Sequence, residues 1–73
     1  MEKLSQNQLI GRKAAILSAA GHPIRLAILE SLAEGEQCVC DVAERVGAER
    51  SNVSRHLSVL VRAGMCTSRK EGL

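Results

Sequence analysis

Two short apolar patterns on either side of Gly47 limit the possible folds most. In Asp41-Val42-Ala43-Glu44-Arg45-Val46, Val42 and Val46 stand at i and i+4, one face of a helix of under two turns. Asp41 opens it, where a carboxylate suits the helix dipole. Gly47 closes it, as a left-handed cap residue does. After Ala48-Glu49-Arg50 a second pattern begins, with Val53, Leu57 and Leu60 at i, i+4 and i+7 and Val61 widening the stripe. A short helix, a tight glycine turn and a second helix make a helix-turn-helix over approximately 40–63.

The outer face of the second helix carries Ser51, Asn52, Ser54, Arg55, Ser58 and Arg62, with no acid among them. A solvated helix face usually mixes both signs of charge. Short hydroxyls, an amide and guanidinium groups instead suit phosphates and base edges. Arg and Asn can each make two hydrogen bonds to guanine and adenine respectively. Ser51, Asn52, Ser54 and Arg55 are therefore the candidate base contacts. Arg50, Arg62, Arg69 and Lys70 are the candidate phosphate contacts that set salt sensitivity. Charge follows the same division: Met1 to Glu49 balances at −2 and Arg50 to Leu73 at +4.

At 73 residues the chain is one small domain, spanning 1–73, and buries little surface alone. It has no Phe, Tyr or Trp, so its core must come from Leu, Ile, Val and Ala, which favours packed helices. No apolar run can span a bilayer and Met1 to Gln8 is no signal peptide, so a cytoplasmic location is the default. Asn7 caps an expected first helix to about Ala20, with Leu9, Ile10, Ala14, Ile16, Leu17 and Ala20 as its apolar positions. Gly21-His22-Pro23 stops it and starts a second helix to about Ala33, apolar on more than one side and so central, with Arg25 and Glu30 left in water. Met65 to Arg69 reads as a strand and Lys70-Glu71-Gly72 as a hairpin tip. A lone strand has no pairing partner, so a return strand, and with it a further helix, are expected beyond Leu73.

Three cysteines, an odd number, argue against a disulfide framework in such a chain. They are small core residues, or ligands for soft ions. Cys38 and Cys40, two apart, are half of a site; Cys66, in the same chain or a partner chain, is the remaining thiol. No Ser-His-Asp set, carboxylate pair or glycine-rich phosphate loop is present, so an enzyme is not expected.

Gly21-His22-Pro23-Ile24-Arg25-Leu26-Ala27-Ile28-Leu29, Cys38-Val39-Cys40-Asp41-Val42-Ala43 and Val53-Ser54-Arg55-His56-Leu57-Ser58-Val59-Leu60 occur in that order. Together they resemble the arsenical-resistance (ArsR/SmtB) repressors, over Leu9 to Gly72. The resemblance implies a mainly α, winged helix-turn-helix fold of four helices plus a short wing hairpin, incomplete in this chain. It implies a cytoplasmic homodimer that represses transcription from an operator and is released by a metal or metalloid. Cys38 and Cys40 match the family's inducer ligands; the position of a further cysteine in arsenic sensors is Ala43 here. As(III) or Sb(III) is the favoured inducer, with Cd(II), Pb(II) or Zn(II) as the alternative. A thiol redox or persulfide switch on the same fold, and a metal-buffering module without an operator, remain open readings.

Overall fold

The computed structural model describes residues 2–69, with side chains from Gln6 onward. Four helices follow one another: α1 (Glu2–Ala20), α2 (Pro23–Leu32), α3 (Val39–Val46) and α4 (Arg50–Arg62). The mainly α, helix-turn-helix class expected from the patterning is what the chain adopts. α2, α3 and α4 pack on one another, and α1 touches α2 and α4. Ile28 of α2, Val42 of α3, and Val53 and Leu60 of α4 are fully buried, with Ala19 and Ala43 beside them. Leu57, half-buried, completes the stripe of α4, while Val61 stands exposed at its edge.

The helix boundaries differ from the sequence reading at two starts. α1 begins at Glu2 and Asn7 lies inside it. Glu, Lys, Leu and Gln are good helix formers, so nothing ahead of Asn7 stops the helix. α3 begins at Val39, two residues before Asp41, because the Cys38 carbonyl already accepts from the amides of Asp41 and Val42, each at 3.1 Å. The ends follow the glycines. Gly47 (φ 81°) receives α3, with its amide on the Ala43 carbonyl. Gly64 (φ 77°) follows α4, and Met65 N–H then reaches back to the Leu60 carbonyl, closing the last turn.

α1 departs most from expectation. Among its described apolar side chains only Ala19 is buried and Ala20 half-buried, whereas Leu9, Ile10, Ile16 and Leu17 are exposed, Leu17 at 72%. Arg25 does not stay in water either. It is half-buried, its Nη1 donates to the Ala19 carbonyl at 3.1 Å, and it thereby caps the end of α1. Among the described residues there is no strand. Met65 to Arg69, read above as the first wing strand, is irregular, since a strand needs a ladder partner and residues 2–69 supply none. The expected hairpin tip at Lys70-Glu71-Gly72 lies outside the described residues.

Candidate functional site

The loop between α2 and α3 is pinned from both sides. The Ser31 hydroxyl, buried at the end of α2, donates to Gln37 Oε1 at 3.0 Å, and Gln37 Nε2 donates to the Ser31 carbonyl. One side chain thus satisfies an end carbonyl of α2 and fixes the residue before Cys38. Arg45 of α3 donates to Glu34 at 2.6 Å across the same loop.

Cys38 is delivered to the N-cap of α3 in an extended conformation (φ −80°, ψ 159°), and its side chain makes no capping bond. Within a helix, residues two apart point about 200° away from each other. The extended Cys38 breaks that rule and swings its sulfur toward the first turn. Cys38 Sγ, Cys40 Sγ and a carboxylate oxygen of Asp41 lie within 4.8 Å of one another, all on exposed residues. A hydrogen bond to Cys38 raises the Cys40 thiol above its ordinary value; partial desolvation and the charges of Cys38 and Asp41 push the same way. Two soft donors and one hard one therefore converge at a solvent-open position. A soft cation captured there displaces protons from the sulfurs.

Cys66 stands apart from this trio. It is half-buried, and burial pushes its thiol up. It nevertheless lines, with Cys38, one groove of about 710 Å³ floored by Leu32, Val42, Leu57 and Val61. Across the rim of that groove, Arg69 Nε meets Glu36 Oε2 at 3.0 Å and Arg69 Nη2 donates to Glu36 Oε1 at 3.1 Å. Sequence reading gave Arg69 to phosphate and did not pair it with Glu36. The partners are 33 positions apart, and no local spacing announces them.

On α4, Ser51, Ser54, Arg55 and Arg62 are exposed, as is Arg50 at its start, while Asn52 is half-buried. These residues form the expected polar face, with the Ser58 hydroxyl returned to the Ser54 carbonyl at 3.1 Å. Lys70 lies outside the described residues. His56 points inward: its ring centroid is 4.5 Å from that of His22, at a tilt of 46°. His22 Nδ1 accepts from the Ile24 amide at 3.1 Å and so caps α2, the turn role expected of it. Desolvation lowers the His56 value, and His22, Arg25 and Arg55 lower it further.

Comparison with known proteins adds the family. The profile described as "Bacterial regulatory protein, arsR family" matches residues 22–68. An uncharacterised HTH-type transcriptional regulator of Methanocaldococcus jannaschii is 42% identical over 62 residues, covering 84% of this chain and 70% of its own. A putative arsenical resistance operon repressor of Halobacterium salinarum is 44% identical over 59 residues, covering 78% of this chain and 50% of its own. The arsenical resistance operon repressor of Staphylococcus xylosus is 37% identical over 59 residues, covering 81% and 57%. The chain thus spans 70% of the first relative, half of the second and 57% of the third. No solved structure matches. No helix among the described residues is long and apolar enough to cross a membrane. With its helix-turn-helix inside the matched span and relatives that are transcriptional regulators, the chain belongs to the arsR family of bacterial regulatory proteins.

Proposed function

We propose that this chain is a transcriptional repressor that grips operator DNA as a homodimer and lets go when a soft ion binds Cys38 and Cys40. The convergence of both sulfurs in the first turn of α3 carries the reading. α3 braces α4, and α4 holds the polar face assigned to DNA. Ser51, Asn52, Ser54 and Arg55 are assigned to base edges, and Arg50, Arg62, Arg69 and Lys70 to phosphates. Two relatives named as arsenical resistance repressors favour As(III) or Sb(III) over Cd(II), Pb(II) or Zn(II). Cys66 is assigned as third donor, from the same chain or the partner copy, because it shares a groove with Cys38.

Two half-sites are read at a fixed separation, about 34 Å for one helical turn. Drawing the two sulfurs onto one ion re-sets the first turn of α3 and with it the position of α4. The ion can weaken DNA binding only to the extent that it prefers the DNA-free form. The test is a titration of the protein on a duplex carrying its own upstream region, with and without arsenite. Wild type is expected to lose affinity about 5–150-fold on arsenite addition, the usual range of allosteric coupling. The double variant Cys38→Ser, Cys40→Ser is expected to bind as tightly as wild type and to ignore arsenite. Release of that variant by arsenite overturns the reading.

A second reading follows from the shared groove: oxidation joins Cys38 to Cys66 and the disulfide replaces the ion as trigger. Mass spectrometry of peroxide-treated protein separates the two, since only this reading yields a Cys38–Cys66 crosslinked peptide.

A further inference from the structure

Cys38 does not hold its own position. Its backbone is extended ahead of α3 and its side chain makes no capping bond. What turns its sulfur toward Cys40 must come from the chain on either side. On one side is the first turn of α3, closed on the Cys38 carbonyl. On the other is the loop from α2, where three side chains are tied down. Glu34 meets Arg45 and Glu36 meets Arg69, both ion pairs between side chains more than half exposed, which water and salt loosen. Gln37 differs. Its Oε1 accepts from the Ser31 hydroxyl at 3.0 Å and its Nε2 donates to the Ser31 carbonyl, which also accepts from the Glu34 amide at 3.2 Å. Ser31 is the one buried polar residue among the described residues, one turn beyond the fully buried Ile28. α2 in turn packs on both α3 and α4. The Gln37 contact is therefore neutral and ends on a part of the molecule that does not move.

We propose that Gln37, anchored on Ser31, is a positioning residue of the ion site: it holds the backbone at Cys38 extended, so that the Cys38 sulfur stands toward Cys40 and Asp41 before any ion arrives. This rests on the inducer reading of Cys38 and Cys40 above. Gln37 directly precedes Cys38, so a side chain fixed at 37 fixes the peptide that enters Cys38. The anchor asks for an acceptor facing the hydroxyl and a donor facing the carbonyl; an amide supplies both and a thioether supplies neither with any strength. Groups that orient a metal's ligands without touching the metal raise its affinity, because the ion is spared the cost of ordering them.

The test uses the full protein, its thiols kept reduced by a phosphine, titrated with arsenite. Binding is followed by sulfur-to-arsenic charge-transfer absorption, which stands clear in a chain without Phe, Tyr or Trp. DNA affinity without arsenite is measured in parallel by fluorescence anisotropy, on a duplex carrying the protein's own upstream region. Gln37→Met keeps the length of the side chain and removes both hydrogen bonds. It is expected to weaken arsenite binding about 10–100-fold and to leave DNA affinity at the wild-type value. Ser31→Ala, which removes the hydroxyl half alone, is expected to weaken arsenite binding in the same direction by less. Made in the Gln37→Met background, Ser31→Ala is expected to add nothing, as for partners in one contact. Wild-type arsenite affinity in Gln37→Met overturns the proposal. So do losses that add in full in the double variant, and so does a fall in DNA affinity that matches the fall in arsenite affinity. Each of these, with a wild type that binds arsenite and releases DNA, leaves the repressor reading intact. A wild type without the charge-transfer band overturns both.

Discussion

At the scale of single residues, His56 shows how a tertiary contact changes chemistry. Its ring is half-buried between α4 and the cap of α2, beside His22 and within the field of Arg25 and Arg55. Each neighbour disfavours the imidazolium, so the folded value lies below the ordinary 6.5. The unfolded chain therefore binds this proton more readily than the folded one. Stability from His56 is complete above about 6.5 and is lost as pH falls through that value toward the folded one. Thermal unfolding followed by circular dichroism should show a lower Tm at about pH 5.5 than at about pH 7.5, and His56→Gln should reduce that difference. The sequence placed His22 at a helix start. It did not reveal that the two rings meet, nor that Glu36 finds Arg69, because each pair is made only once the helices dock. Arg25, read as a solvent residue, turned inward for the same reason: the carbonyl it caps belongs to another helix.

Elements are where local rules were most legible. Gly47 was expected to end α3 in the left-handed region, and it does so at φ 81°. A Cβ there would meet nothing within 4 Å, so substitution costs backbone conformation alone. Gly47→Ala is expected to destabilise the protein by about 1 kcal/mol, lowering Tm by about 4–8 °C, as urea and thermal melts would read. In the i, i+4, i+7 stripe of α4, Val53 and Leu60 are buried and Leu57 is half-buried. The start of α3 was missed because a backbone carbonyl, that of Cys38, makes the first turn, and no side chain signals it. That small error mattered for the candidate site: it is the reason Cys40 sits in the first turn and Cys38 at the cap. The convergence of two sulfurs came from the family resemblance and the spacing, but their approach to Asp41 needed the cap geometry.

The whole molecule is longer than its mass requires. Its radius of gyration is 14.3 Å, against about 11 Å for a compact chain of this length. The excess reflects α1, whose apolar side chains at Leu9, Ile10, Ile16 and Leu17 are left uncovered among the described residues. A sequence lists apolar residues and is silent on which molecule buries them. In the proposed homodimer the second copy does so. Amide hydrogen exchange checks this: in dilute solution the amides of Gln6 to Ser18 should exchange far faster than those of α2 and α4, and raising the protein concentration should slow them. α1 is 19 residues long, but most of it packs on nothing among the described residues, and helical stability in proteins comes mainly from such packing. Whatever covers it also completes its folding, and the ordering of that arm is then part of the free energy of pairing, which makes subunit association looser than its apolar area alone would suggest.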